Sequence, residues 1–243
     1  MNDSGNILWL DSVDSTNSEA LRRLPELPSG TVIAAREQTA GRGQRGNTWF
    51  TEPGKNLTFS IVLKGLGLAA ADAHRLNYLA SLAVAEFLEG YCVSPSIKWP
   101  NDIYVGRKKI CGILVENSLS GDGVSASVIG IGININQTEF PQLANATSLR
   151  CCTGKEYDLE KCLQAFMEVF NRLLSTLREQ SLVDKYSASL FLKGVTAEYS
   201  DYLRDIRFTG IIRGVDPDGR LRIYDTSALT DRLYRFKEVG YIL

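Results

Sequence analysis

Residues 57–63 read Leu57-Thr58-Phe59-Ser60-Ile61-Val62-Leu63, apolar at every second position. Side chains of a strand alternate between its two faces, so this period predicts a half-buried strand. Further along the period changes. Leu76, Leu79, Ala80, Ala83, Val84, Phe87 and Leu88 recur at the spacing of one helical face, and Gly90 is expected to end that helix. A longer helix is predicted behind Asp158, a good N-cap, with Leu159, Leu163, Phe166, Phe170, Leu173, Leu174 and Leu177 turned inward. A short one, "NSEALRRL", follows Thr16 and Glu19, which have capping-box spacing. "TVIAAREQ", "SIKW", "DIYV", "KICGILVEN" and "SASVIGIGINI" read as strands separated by turns. From about residue 195 the texture becomes "IRFTGIIRG", "RLRIYD" and "RLYRFKEVGYIL", short strand patterns joined by turns such as Asp216-Pro217-Asp218-Gly219. The pattern predicts an α+β fold: a central mixed or antiparallel sheet with flanking helices over residues 1–190, then a small C-terminal β-barrel over 195–243.

Composition narrows the function classes. At 243 residues and 44% hydrophobic, the chain can bury a sizeable core. A formal net charge of -1 gives no global attraction to nucleic acid or anionic lipid. No apolar run is long enough to span a bilayer, and the N-terminus lacks the pattern of a secretory signal. Cys92, Cys111, Cys151, Cys152 and Cys162 are odd in number without C-x-x-C spacing, so they read as reduced thiols of a cytoplasmic protein. With His74 the single histidine, a Ser-His-Asp triad and a histidine metal site are both disfavoured. His74 opens a helical pattern and is expected at the surface.

The segment "GRGQRGNTWF", residues 41–50, spaces Gly41, Gly43 and Gly46 like a dinucleotide loop. That loop needs a helix behind it, and "NTWFTEPGKNLTF" is turn and strand instead. A P-loop fails as well, since no Lys-Ser/Thr pair follows Gly46. What remains is a glycine loop carrying Arg42 and Arg45 with Trp49 beyond it. Glycine lets backbone N–H groups approach an anion, guanidinium pairs with phosphate or carboxylate, and an indole offers a stacking face. A solvated turn would have the same composition. Similarly, Pro100-Asn101-Asp102 is good turn chemistry, and Asp102 could equally offer oxygens to magnesium. Lys109 stands at the start of an apolar strand, in solvent or at a pocket edge where it would stabilise charge on carboxylate and phosphate.

Five motifs in order, "DSTN" (14–17), "EQTAGRGQRGNTWF" (37–50), "KWPNDIYV" (98–105), "KKICGILVEN" (108–117) and "GIGININ" (130–136), closely resemble those of the biotin–protein ligases. The resemblance implies a class II synthetase-like catalytic domain with an SH3-like C-terminal barrel. It implies activation of biotin by ATP and Mg²⁺ to biotinyl-5′-AMP, then transfer to a lysine of a biotin carboxyl carrier protein or domain. Ser15, Thr16, Asn17 and Gln38 would bind the biotin ring. Gly41, Arg42, Gly43 and Gln44 would form a loop over biotin and the α-phosphate. Lys109 and Arg42 would be catalytic, and Gly112, Gly130 and Gly132 would bring backbone against biotin. Arg42, Gln44, Arg45, Trp49, Lys109 and Asn134 would serve the nucleotide, with Asp102 as a possible magnesium ligand. Many members carry arginine where this chain has Gln44, which implies weaker retention of the adenylate. "LDSVDSTN" comes within the first residues, so no DNA-binding domain and no repressor function are expected; the state is monomer or homodimer. A lipoate–protein ligase or octanoyltransferase and a non-catalytic biotin sensor are the competing readings.

Overall fold

The computed structural model describes residues 6–141, 143 and 145–242, apart from the side chain of Arg45. The chain opens with β1 (Ile7–Val13), α1 (Thr16–Arg22), β2 (Val32–Gln38) and β3 (Leu57–Lys64), followed by α2 (Arg75–Glu89). Next come β4 (Pro95–Lys98), β5 (Asp102–Val105), β6 (Lys108–Ser120) and β7 (Gly123–Ile133). These strands form one sheet in the order β1-β2-β3-β7-β6-β5-β4, parallel only between β1 and β2. The helices α3 (Leu149–Thr153), α4 (Leu159–Leu174) and α5 (Gln180–Ala188) precede a second sheet. Its strands are β8 (Thr196–Asp201), β9 (Ile206–Val215), β10 (Leu221–Asp225), β11 (Thr230–Tyr234) and β12 (Val239–Ile242). They are antiparallel in the order β11-β10-β9-β8-β12, consistent with an SH3-like module. We propose that the domain boundary falls in the segment between α5 and β8. No helix among the described residues is long and apolar enough to cross a membrane.

The expected half-buried β3 is buried on both faces. Leu57, Phe59, Ile61 and Leu63 meet the helices α2 and α4, with the Phe59 and Phe166 rings 5.1 Å apart edge to face. On the other face Val62 joins Ala20, Leu27, Ile33 and Val128 in a second small core beneath α1. The polar members, Thr58 and Ser60, survive burial because each hydroxyl is hydrogen-bonded. Alternation reported a polar face, and α1 covers it.

One helix end differs from expectation. Ser15, not Thr16, is the N-cap of α1, and the Thr16 hydroxyl donates to Gln38 instead of closing a capping box. Glu19 pairs with Arg22 at 2.7 Å. Gly90 ends α2 as expected, as its C-cap, in a right-handed conformation at φ -59, and Cys92 supplies the left-handed residue beyond it at φ 60. Asp158 caps α4 as expected, accepting from the N–H groups of Glu160 and Lys161.

The two sheets share one continuous apolar core that includes Phe59 and Phe166 as well as Tyr199, Ile212 and Tyr234. The Trp99 indole N–H donates to the Gly219 carbonyl at 3.2 Å. His74 is half-buried at this junction: a Cβ on Gly219 would stand 2.9 Å from its ring. Burial lowers its pKa from 6.5. The surface position expected for His74 is therefore wrong, because the C-terminal sheet covers it.

Candidate active site

A cavity of about 260 Å³ opens over β6 and β7, bounded by the start of α1, the loop 41–49 and the turn after β4. Register explains its floor. Lys98 pairs with Asp102, Asp102 with Gly112, Gly112 with Gly132 and Gly132 with Thr58, one row across five strands. Cross-strand partners share a face, so this row presents two bare backbones flanked by a lysine and an aspartate. Lys109 would fall on the opposite face from Gly112 under strict alternation. A β-bulge in the β5–β6 pairing pairs it with Tyr104 and returns it to the cavity side.

At one end lies a buried polar network. Gln38 Oε1 accepts from the Thr16 backbone N–H at 2.8 Å and from the Thr16 hydroxyl at 3.1 Å. Ser60 Oγ has one hydrogen and two acceptors in reach, Thr16 Oγ1 at 2.8 Å and Asn17 Oδ1 at 2.6 Å. Asn17 Nδ2 donates to Glu116 Oε2 at 2.9 Å. The fit is close: a Cβ on Gly130 would stand 2.1 Å from Asn17 Oδ1. Only glycine allows that approach.

The loop 41–49 is a small hairpin. Trp49 N–H donates to the Gly41 carbonyl, Gly43 N–H to the Asn47 carbonyl, and a single turn of 3-10 helix covers Gln44–Gly46. A Cβ on Gly41 would meet the Trp49 carbonyl oxygen at 2.4 Å, so the hairpin cannot close with a larger residue there. The Trp49 ring lies on the glycine floor, 2.4 Å from the place of a Cβ on Gly132 and 3.0 Å from one on Gly112. Its indole nitrogen is buried without a hydrogen-bond partner among the described residues. Arg42 turns to Glu116, 2.7 Å away, and to Ser18. Glu116 thereby holds both Arg42 and Asn17.

Lys109 Nζ lies 2.7 Å from Asp102 Oδ1 and 5.5 Å from the Trp49 ring centroid. Its backbone is fixed by a hydrogen bond to the Asn145 carbonyl and one from Thr147 N–H. Lys98 reaches the same cavity, 3.2 Å from the Tyr104 hydroxyl, and burial lowers its pKa from 10.5. Among the described residues no group of three His, Cys, Asp or Glu is placed to hold a metal. Among the described residues Asp102 is the one carboxylate in the cavity lining, a donor that suits magnesium, which takes most of its oxygens from phosphate and water.

Most residues singled out from the sequence line this one cavity, namely Ser15, Thr16, Asn17, Gln38, Arg42, Gly43, Gln44, Trp49, Asp102, Lys109, Gly112, Gly130 and Gly132. Gly41 stands just behind, as the hairpin's closing residue. Asn134 is not in the lining: it is buried, with its amide donating to the Thr147 carbonyl at 2.9 Å, and Thr147 in turn donates its backbone N–H to the Lys109 carbonyl. The Arg45 side chain lies outside the described residues. Ser60, Glu116, Lys98 and Phe236 were missed. Ser60 looked like the polar half of an alternating strand, Glu116 stood near the end of an apolar strand with no pattern of its own, and Phe236 comes from the connection between β11 and β12.

With this geometry in place, residues 9–134 match the biotin/lipoate A/B protein ligase family. The chain belongs to that family. A biotin–[acetyl-CoA-carboxylase] ligase of Paracoccus denitrificans is 38% identical over 172 residues, covering 67% of this chain and 70% of that one. The bifunctional ligase/repressor BirA of Salmonella typhimurium is 40% identical over 134 residues, and the match spans only 42% of its length. Biotin protein ligase of Aquifex aeolicus, solved in complex with biotin and ATP, superposes with a TM-score of 0.78 at 29% identity over 97% of both chains. The family's matched span runs through both the polar network and the glycine row.

Proposed function

We propose that the chain is an ATP-dependent biotin–protein ligase. A biotin carboxylate oxygen attacks the α-phosphorus of ATP, the bond to the β-phosphate oxygen breaks, and pyrophosphate leaves. A lysine amine of a biotin carboxyl carrier protein or domain then attacks the acyl carbon of biotinyl-5′-AMP. The amine gives up a proton, AMP leaves with the bonding electrons, and an amide remains.

The observation that carries the choice of biotin is the polar network of Thr16, Asn17, Gln38 and Ser60 at the end of the cavity. A ureido ring offers two N–H donors and a carbonyl acceptor to such a wall. A lipoyl dithiolane or an octanoyl tail offers none, and buried polar groups facing it would lose solvent without compensation.

At the other end Lys109 exchanges Asp102 for the substrate carboxylate and α-phosphate, where its charge counts most in a water-poor site. Asp102 is then free to ligate Mg²⁺, which would neutralise phosphate charge. Arg42 would swing from Glu116 toward the anhydride, leaving Glu116 to hold Asn17. At about 260 Å³ the cavity is smaller than the roughly 300 Å³ where ligand pockets usually begin. Biotin and nucleotide together therefore require the hairpin to lift and Trp49 to leave the glycine floor, where its ring can stack on adenine. Closing again over the intermediate excludes water.

Biotin-dependent ATP–pyrophosphate exchange tests the reading, with lipoate and octanoate as parallel substrates and Lys109→Ala as control. Exchange with biotin alone, lost in the variant, is expected. Exchange with lipoate would move the chain to the other branch of the family. Gln44, which lines the cavity, brings no charge to an adenylate phosphate. Gln44→Arg should slow dissociation of biotinyl-5′-AMP by about tenfold, the worth of one added charge-assisted hydrogen bond. An unchanged off-rate rejects that role.

A further inference from the structure

The resting cavity holds two lysines and one carboxylate. Asp102 neutralises Lys109 at 2.7 Å. Lys98 is Asp102's cross-strand partner and faces the same side of the sheet, yet no carboxylate among the described residues lies within ion-pair distance of it. Its ammonium touches the Tyr104 hydroxyl at 3.2 Å and lies 5.0 Å and 5.1 Å from the ring centroids of Tyr104 and Tyr241. Two aromatic faces hold a cation in place without cancelling its charge. Tyr104 comes from β5, but Tyr241 belongs to β12 of the second sheet. A half-buried ammonium held by one hydroxyl and two ring faces, with no carboxylate in ion-pair contact, keeps its charge available to an anion.

We propose that Lys98 is a catalytic residue that binds the β- and γ-phosphates of ATP and stabilises the departing pyrophosphate, positioned by an aromatic clamp that the C-terminal sheet completes. This rests on the ligase reading. Lys98 stands on β4, the edge strand, one step along the row from Asp102 and two from Gly112. If Lys109 meets the carboxylate and the α-phosphate near the glycines, the phosphates beyond extend along that row toward Lys98.

The test is titration calorimetry of the full chain with ATP, AMP, inorganic pyrophosphate and biotin separately, for wild type, Lys98→Met and Lys98→Arg. Methionine keeps the apolar stem and drops the charge. The expected result is ATP and pyrophosphate affinity roughly 10- to 100-fold weaker in Lys98→Met. AMP and biotin affinity should be unchanged, and Lys98→Arg should retain most of the ATP affinity. Lys98→Gln supplies a second uncharged variant should the methionine variant fail to fold. Wild-type ATP and pyrophosphate affinity in both uncharged variants overturns the proposal. Equal losses for AMP and ATP overturn the assignment to the leaving group and place Lys98 at the α-phosphate. These are binding readouts, so a wild-type chain without biotin-dependent exchange sinks the ligase reading while the Lys98 result stands or falls by itself.

Discussion

Gly130 shows how a single missing methyl group sets the site. It pairs with Ser60 on β3 and Leu114 on β6, and Asn17 presses onto it from α1. An alanine there would put carbon 2.1 Å from Asn17 Oδ1, so Asn17 must leave Ser60 and Glu116 or the strand must shift. Gly130→Ala is therefore expected to weaken biotin binding at least about tenfold, the loss of one well-made hydrogen bond or more, with a smaller effect on ATP. Equilibrium binding of biotin to the variant checks it, and wild-type affinity would show that the Asn17 contact does not shape the biotin end. The glycines were legible from sequence as places of close approach. What approaches them was not: the partner of Gly130 is 113 positions earlier in the chain, and that of Gly132 is Trp49, which spacing alone cannot pair.

Elements were readable as helices and strands, but the two-sided burial of β3 and the register of β6 were not. The α4 helix keeps its apolar stripe inward and its cap at Asp158, because an exposed amphipathic helix obeys its own periodicity. Asp158 hydrogen-bonds two backbone N–H groups far from the cavity, which holds its carboxyl below 3.8. Asp158→Ala should lower the midpoint of a denaturant melt and leave biotin and ATP affinities unchanged. A change in ligand affinity would mean that α4 communicates with the site. The β6 strand is the opposite case. Period-two counting sends Lys109 away from Gly112, and the bulge at Ile110, between Lys109 and Cys111, brings it back. A one-residue insertion leaves no compositional mark, so the sequence located Lys109 only through its motif. The motif itself is explained by the bulge.

At the scale of the molecule, the C-terminal module reaches the candidate site, with Phe236 lining the cavity and the Tyr241 ring 5.1 Å from Lys98 Nζ, and its own integrity rests on buried carboxylates. Asp201 has no exposed side-chain surface and accepts from Arg204 at 2.8 Å, from Tyr234 at 2.9 Å and from Arg232 at 3.4 Å. Burial alone would raise its pKa, but the hydrogen bonds from Arg204 and Tyr234 outweigh it, and the net shift is downward from 3.8. Asp225 is lowered too, first by the Ala228 backbone N–H and against burial by Arg232. A carboxyl whose folded pKa lies below its unfolded value stabilises the fold above the unfolded value, and that stability disappears as pH falls through the folded one. These contributions are complete above the ordinary value of 3.8 and are lost progressively below it. Asp201→Asn removes the charge that two arginines face, and breaking a buried pair of this kind costs on the order of 3 kcal/mol. Because Tyr241 rides on the strand paired to β8, the damage should reach the cavity at the Lys98 side first. The expected outcome is an Asp201→Asn protein with a lower melting temperature, weakened ATP affinity and near-normal biotin affinity at neutral pH. Equal weakening of both ligands would show that the C-terminal sheet supports the catalytic sheet as a whole and has no particular hold on the phosphate end.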